Sequence, residues 1–183
     1  MTRGNARELA VHLIYGREFT GEEPEKVVST RLDKEYYPQL STENEIYADR
    51  PSKAQIRYLD AVVSGVANRQ DELNATIQKF SIGWDVSRIS KLTRCIMQLA
   101  IFEIMHMEDV PTGVAISEAV RLAKKYDAPE TGAFVNGILG SFARNMNAPM
   151  VEAPAEEISA SEIAAVEEPV AADEAEAVAS EEV

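Results

Sequence analysis

Residues 89–107 read ISKLTRCIMQLAIFEIMHM, and the rest of the chain has to pack around this stretch. Its first apolar residues recur at steps of three and four, which is the spacing of one face of an α-helix. From Cys95 onward the apolar residues cover the whole circumference, a pattern typical of a helix that is buried on all sides. Lys91, Arg94 and Glu103 lie within the stretch, and charged groups are costly in lipid. We therefore expect the core helix of a soluble helical domain and no contact with a membrane.

The negative charge of the chain is concentrated at its carboxyl end. The formal net charge is −13, and residues 145–183 contain eleven of the 31 acidic residues and no lysine or arginine. Residues 1–144 therefore hold 20 acidic residues against 18 basic ones, which is close to neutral. Residues 145–183 also lack aromatic side chains, so they cannot bury enough surface to offset the entropy of ordering. We predict a helical domain over residues 1–144 and a disordered, acidic, Ala/Glu-rich tail over residues 145–183.

The apolar periodicity predicts helices on either side of the core helix. Their expected bounds are residues 2–19, 25–32, 51–80, 111–126 and 129–144. Asp85 is expected to cap a helix that runs through Arg88 into the core helix. Residues 33–50 show no sustained period and are predicted to form a loop or a frayed extension.

Three glycines inside predicted helices need an explanation. Glycine costs up to about 1 kcal/mol relative to alanine in a helix interior. We expect a close helix crossing at Gly65, and we expect Gly137 and Gly140 to allow tight packing of the last helix on the core helix.

No arrangement of residues points to catalysis or to a metal. Glu103 and His106 have the spacing of the di-iron helical bundles, but that site needs a second such pair. The other histidine, His12, has Leu9 three residues before it and cannot supply one. Cys95 lies in an apolar run, where a thiol is inert. We expect no catalytic residue, no metal site and no cofactor.

The cysteine content and the start of the chain indicate a compartment. A single cysteine excludes an intramolecular disulfide, and residues 1–15 show no signal-peptide pattern. A reducing cytoplasm is therefore the expected location.

The first predicted helix carries a small basic end. Arg3, Arg7 and Arg17 lie off its apolar stripe, against one glutamate in residues 1–17. One interpretation is the solvated face of an amphipathic helix. The other is an end that contacts nucleic-acid phosphates, with Tyr15 placed to stack a base.

A second basic row lies at the start of the core helix. Arg88, Lys91 and Arg94 step by three along one side, and Gln98 extends the row. Such a row is either a solvated face or a docking face for a partner or for RNA. We keep its three basic residues, together with Tyr15, as candidate partner-binding residues.

Several short segments occur in the order of a known family. They are ARE at 6–8, AV at 10–11, IY at 14–15, RI at 88–89, LAIFE at 99–103, DVP at 109–111, VAISEA at 114–119, LAKKY at 122–126 and FVNGIL at 134–139. With these segments the chain resembles the NusB family of bacterial transcription antitermination factors over residues 2–144. The resemblance implies an all-α bundle of about seven helices.

The resemblance also implies a binding function. Members of the family pair with NusE, a small-subunit ribosomal protein. Together they hold the boxA element of nascent ribosomal RNA and help the RNA polymerase antitermination complex pass terminators. By the same resemblance Arg3 and Arg7 contact phosphates, and Tyr15 lies near the partner- and RNA-facing surface. Phe134 matches a position that faces nucleotides, with a core residue as the alternative.

Three further matching residues are expected to be structural. Glu103 is expected to accept backbone N–H groups from a neighbouring helix start. Asn136 and Gly137 are expected to serve packing and buried hydrogen bonds at a helix crossing.

The chain departs from the family pattern at several positions. Gly4 and Asn5 stand where arginine is common, which predicts weaker affinity for phosphates. Ser117 replaces an asparagine, and Gln98 replaces an arginine. Thr93 stands at a partner-facing position that can be acidic. This departure affects the contacts with NusE that the resemblance implies.

Two other functions and a role for the tail remain open at this stage. The RNA-binding domain of a ribosomal RNA cytosine methyltransferase also resembles NusB, but that enzyme needs an α/β domain after the helices. A helical protein–protein adaptor with little RNA binding is the second alternative. The acidic tail either competes with RNA for Arg3 and Arg7 or only increases solubility.

Overall fold

The computed structural model describes residues 1–42, 44–83 and 89–147, and within them it contains helices and no strand. The elements are α1 (Arg3–Thr20), α2 (Pro24–Arg31), α3 (Tyr37–Leu40), a 3₁₀ turn (Glu45–Tyr47), α4 (Lys53–Asn68), α5 (Gln70–Phe80), α6 (Lys91–His106), α7 (Thr112–Tyr126) and α8 (Thr131–Asn147). The prediction of an all-α bundle of about seven helices is confirmed. The predicted disorder of the tail falls, from residue 148 onward, outside the described residues, and the division at residue 144 stays a prediction. Among the described residues, no helix combines the length and the apolar character that a membrane crossing requires.

Helix α6 is the core helix that the sequence predicts. Every residue from Cys95 to Glu103 is buried, and α6 contacts α1, α4, α5, α7 and α8. The helix begins at Lys91 because the Ser90 hydroxyl accepts a hydrogen bond from the Thr93 amide at 3.1 Å. The predicted start further upstream is therefore wrong, and Asp85, the expected cap, lies outside the described residues.

The predicted helix over residues 51–80 is two helices. The chain leaves helical geometry at Arg69, whose φ and ψ are −122° and 21°. The amide of Arg69 bonds to the Val66 carbonyl, and its own carbonyl accepts from the Leu73 amide, so one residue ends α4 and begins α5. Both helices contact α6. The break therefore allows two separate apolar stripes to pack against the same core helix.

Residues 33–50 contain more structure than predicted. Tyr37 and Leu40 of α3 and Ile46 and Tyr47 of the 3₁₀ turn are all buried. The rings of Tyr37 and Tyr47 meet edge to face, with centroids 5.6 Å apart. Single turns are too short to produce a sequence period, so the burial of aromatic side chains, and not periodicity, orders this segment.

The three glycines have two different outcomes. A Cβ atom on Gly65 would lie 2.1 Å from the Phe102 ring, so the predicted close crossing is confirmed between α4 and α6. The prediction for α8 is wrong, because no atom lies within 4 Å of a Cβ on Gly137, and a Cβ on Gly140 meets only Arg144 of its own helix. The packing face of α8 carries Val135, Ile138, Leu139 and Phe142, which are buried.

Candidate nucleic-acid interface

Helix α1 connects the two surfaces to which the predicted binding residues belong. Thr2 caps its start by accepting a hydrogen bond from the Asn5 amide at 3.0 Å, and Gly21 ends it with a φ of 62°. Its 18 residues span about 27 Å. Arg3 and Arg7 lie at the beginning of this length and Tyr15 lies near its end.

Arg7 is buried and not displayed on the surface. Its Nε donates to both carboxylate oxygens of Glu103, at 2.9 and 3.1 Å, and Tyr58 donates its hydroxyl to Glu103 Oε1 at 2.9 Å. Burial raises the pKa of the Glu103 carboxyl, while the charge of Arg7 and the hydrogen bond from Tyr58 oppose the shift. Glu103 therefore has the structural role that we expect. The expected backbone donors are wrong, since two side chains occupy its oxygens.

Arg3 and Arg7 both line one cleft. The cleft has a volume of about 160 Å³. We call it the arginine cleft, and it is lined by Arg3, Ala6, Arg7, Ala54, Gln55, Tyr58, Asp109 and Val110. Arg3 is exposed and makes no hydrogen bond or ion pair within the described residues. It is the better placed of the two arginines for a phosphate contact, which stays a prediction for both.

Two further cations near the start of α1 form ion pairs with Glu8. Its Oε1 accepts from Lys125 Nζ and from the Tyr126 hydroxyl, each at 2.6 Å, and its Oε2 accepts from Arg121 Nη1 at 3.3 Å. Burial acts to raise the pKa of Glu8, but the three hydrogen bonds together lower it below the ordinary value. Glu8 is therefore ionised at neutral pH and reduces the net positive charge of this end.

His12 links the middle of α1 to two tyrosines. Its Nε2 lies 2.9 Å from the Tyr126 hydroxyl, and its Nδ1 lies 3.2 Å from the Tyr47 hydroxyl. Because Tyr126 donates its proton to the carboxylate of Glu8, its oxygen accepts from His12, which places the ring proton on Nε2. Burial lowers the pKa of His12. Sequence reasoning missed this network, because its members lie far apart along the chain.

The other end of α1 presents an exposed aromatic cluster. Phe19 is 61% exposed, and the Tyr15 ring meets it edge to face with centroids 5.0 Å apart. Lys91 Nζ, from the first turn of α6, lies 4.8 Å from the centroid of the Phe19 ring. We call Tyr15, Phe19 and Lys91 the Phe19 cluster. It joins two predicted partner-binding residues through a third that sequence reasoning missed, although its position four residues after Tyr15 was a usable signal.

The predicted basic row on α6 is shorter than expected. Lys91 is exposed and Arg94 is partly exposed, but Arg88 lies outside the described residues. Gln98 is buried and donates to Asn74 Oδ1 at 2.9 Å, so it does not extend the row. Thr93 is not partner-facing either, since it is buried and donates to Asp127 Oδ2 at 2.7 Å. Because other helices surround α6 from Cys95 to Glu103, only its two ends reach the surface.

The start of α8 holds the remaining predicted residue. Phe134 is partly buried and packs against the core, so its RNA-facing role stays a prediction. Asn136 and Gly137 are exposed, and the packing role expected for them is wrong. The residues of α8 that pack against the core are apolar, and they include Val135, Ile138, Leu139 and Phe142.

The described residues offer binding surfaces and no arrangement typical of an enzyme. Within these parts of the chain, no group of three or more His, Cys, Asp or Glu side chains could hold a metal ion. Cys95 is buried, and burial raises the pKa of its thiol to about 12, so it is not a thiolate nucleophile at neutral pH. The fold is a helical bundle whose first helix has an exposed arginine at its start and an exposed aromatic cluster at its end.

Comparison with known proteins identifies the family. The family model of NusB matches residues 4–144, and the chain belongs to the NusB family. The transcription antitermination protein NusB of Acetivibrio thermocellus is 41% identical over 144 residues, which cover 79% of this chain and 90% of that protein. The protein of the same name from Symbiobacterium thermophilum is 36% identical over 146 residues, covering 80% and 92%. The resemblance predicted from the sequence is confirmed.

Solved structures show the same fold. NusB from T. maritima superposes with a TM-score of 0.64 at 25% identity, over 79% of this chain and 92% of that one. A chain from a crystal structure of antitermination factors NusB and NusE in complex with double-stranded RNA superposes with a TM-score of 0.60 at 22% identity, over 78% and 96%. The second likeness supports the fold alone.

Proposed function

We propose that the protein is a transcription antitermination factor that binds the boxA element of nascent ribosomal RNA together with the ribosomal protein NusE. Bound in this way, it promotes antitermination by RNA polymerase. The observation that carries the proposal is that the family match extends over residues 4–144, and so over nearly all of α1 to α8. Relatives that match over this length are transcription antitermination proteins.

The geometry supports a division of labour between the two ends of α1. At its start, Arg3 is exposed beside the arginine cleft and is suited to the RNA backbone. At its end, the Phe19 cluster offers an exposed aromatic ring flanked by a tyrosine and a lysine. Aromatic residues are enriched in protein interfaces and dominate their energetics. We therefore assign the RNA to the first end and NusE to the second.

The charge distribution predicts that RNA binding depends on the partner. Residues 1–144 are close to neutral overall, and Arg7, Arg121 and Lys125 are engaged with carboxylates. Phosphate contacts supply most of the affinity of a protein for nucleic acid. Because residues 1–144 carry little net positive charge, the protein alone binds RNA weakly, and the basic surface of the ribosomal partner adds further contacts.

The proposed function requires no chemical reaction. The protein acts by holding an RNA and a protein together, and it acts in the cytoplasm, where transcripts are made. No step of this function uses a cofactor.

Fluorescence anisotropy with labelled boxA RNA tests the proposal. The full chain is titrated onto boxA RNA and onto a scrambled strand of the same composition, with and without purified NusE. We expect a preference for boxA and a clear rise in affinity when NusE is present. Equal affinity for boxA with and without NusE contradicts the proposed mechanism.

The adaptor alternative is favoured by one observation, the pairing of Arg7 with Glu103 in the interior. An adaptor binds NusE but does not distinguish boxA from the scrambled strand, even in the ternary mixture. The same titration therefore separates the two functions.

A further inference from the structure

The arginine cleft has the volume of a site for one small group. Its apolar lining comes from Ala6, Ala54 and Val110, contributed by α1, α4 and the segment before α7. Its volume is about 160 Å³. A cavity of about 150 Å³ holds a single benzene ring. The cleft is therefore large enough for one aromatic ring system and too small for a folded segment of a partner.

A buried arginine with unused donors lines this cleft. Arg7 is only 7% exposed, and its Nε is the one nitrogen that bonds to Glu103. The donors on its Nη1 and Nη2 have no acceptor within the described residues. Among the described residues, Gln98 Oε1 is the one side-chain polar atom that is fully enclosed without a partner, so the Arg7 donors are not sealed in the interior. They can bond to an acceptor on a ligand that enters the cleft.

The charges around the cleft favour a neutral ligand over a phosphate. Glu103 already compensates Arg7, and the cleft is lined by one further acid, Asp109, and one further base, Arg3. The four groups sum to zero, so a phosphate inside the cleft gains no net attraction, while the exposed Arg3 can still contact a backbone phosphate outside it. A neutral ligand with acceptors for the arginine and donors for the carboxylate satisfies both.

We propose that the arginine cleft binds one unstacked nucleobase of the RNA and selects guanine. Guanine presents two acceptors, O6 and N7, on the edge that arginine contacts in the commonest specific pairing. Its neighbouring N1–H and N2–H₂ groups donate, which suits the carboxylate of Asp109. Adenine carries a donor where guanine carries O6, and faces the arginine with only one acceptor. This inference rests on the proposed function, which it extends from the RNA backbone to a base.

The first test uses the full chain without variants, RNA or NusE. Guanosine, adenosine and inorganic phosphate are each titrated into ¹⁵N-labelled protein, and the amide shifts of Ala54, Tyr58, Asp109 and Val110 are followed. We expect guanosine to shift these amides and to bind roughly 5- to 100-fold more tightly than adenosine. Shifts with phosphate and none with guanosine overturn the proposal in favour of an anion site. No shift with any of the three also overturns it.

The second test fills the cleft without touching the Arg7–Glu103 pair. Ala54 is an exposed residue of the cleft lining, and Ala54→Phe puts an aromatic ring there. Ala75→Phe, at an exposed position on α5, is the matched control. We expect Ala54→Phe to abolish guanosine binding and to weaken boxA binding beside NusE about tenfold, with the control unchanged. If boxA binds equally well to both variants, the cleft proposal fails and the proposed function stands. If the unmodified protein binds guanosine but does not bind boxA RNA beside NusE, the proposed function fails and the base site stands.

Asp109→Asn tests the selectivity itself. The amide keeps the size of the side chain but replaces one acceptor by a donor. We expect the preference for guanosine over adenosine to fall about tenfold, with the shifts still centred on the same amides. An unchanged preference contradicts the assigned role of Asp109.

Discussion

The two ends of α1 use the same kinds of residues in opposite ways. At the start, Arg7 is buried against Glu103, and Glu8 holds two cations of α7. At the end, Phe19 is exposed to water with Lys91 over its ring. A charged group is thus inside the protein and an aromatic group is outside it, the reverse of the usual distribution. A residue type therefore predicts a role only once its neighbours are known.

The largest effect is expected from breaking the buried pair. Arg7→Leu leaves the Glu103 carboxylate in the interior without its cation, which costs about 3–5 kcal/mol of folding free energy. Arg3→Leu, four residues earlier on the exposed surface, changes it by less than about 0.5 kcal/mol. Urea unfolding followed by circular dichroism measures both.

A double variant sharpens this result. In Arg7→Met with Glu103→Leu no charge is left unpaired, so part of the lost stability returns. If Arg7→Leu and Arg3→Leu are equally stable, the pair does not contribute to the fold as described.

The next effect is expected at the exposed end. Phe19→Ala removes little buried surface, so the free energy of unfolding changes by less than about 0.5 kcal/mol. Its affinity for NusE falls by about 2 kcal/mol, roughly 30-fold, if the ring is the centre of the interface. Isothermal titration calorimetry with purified NusE measures this, and Tyr36→Ala is the control, since Tyr36 is another exposed aromatic residue away from the cluster. An affinity that falls equally in both variants removes the special role of Phe19.

His12, in the middle of α1, predicts that the folding stability depends on pH. Burial lowers the pKa of His12 below its ordinary value near 6.5, so the unfolded chain takes up a proton that the folded protein excludes. This contribution to stability is complete above about pH 6.5 and is lost as the pH falls below it. The groups that face His12 are Glu8, Arg31, Lys125, Tyr47 and Tyr126.

Chemical unfolding of the wild type and of His12→Gln at several pH values isolates this contribution. The glutamine does not titrate, so the difference in stability between the two proteins narrows as the pH falls from 7 to 5. A constant difference over this range contradicts the prediction. Glu103, whose pKa is raised, is common to both proteins and cancels in the comparison.

The smallest effect is expected from a single phosphate contact. Arg3→Gln lowers the affinity for boxA RNA modestly and reduces the slope of log affinity against log salt by about 0.7. Lys26→Gln, which removes an exposed charge on α2, leaves the slope unchanged. Anisotropy titrations at several salt concentrations check this, and an unchanged slope for Arg3→Gln excludes a phosphate contact at that residue.

Elements with strong periodicity were predictable, and those defined by contacts were not. The buried run of α6 and the stripe of α7 follow from spacing alone, because a helix that packs must present apolar residues at a fixed angle. The break at Arg69 has no glycine or proline to signal it. Its position depends on how the apolar stripes of α4 and α5 pack against α6, and that packing exists only in the tertiary structure. The order of residues 33–50 was also missed, since single turns leave no period.

The candidate site was predictable as residue types and not as surroundings. Tyr15 and Lys91 were singled out separately, and the fold joins them through Phe19. Arg7 was singled out as a surface residue, and the fold buries it. The partner that decides this, Glu103, lies 96 positions away in the chain. No local pattern reports on a neighbour at that separation.

The amino-acid sequence was sufficient to identify an all-helical member of the NusB family, because the hydrophobic period and the order of the matching segments are local properties that the chain carries in any conformation. Which charges are paired inside the protein and which remain exposed depends on the tertiary structure. Ion pairing and burial depend on distances between elements, and those distances exist only after α1, α4 and α7 have packed around α6.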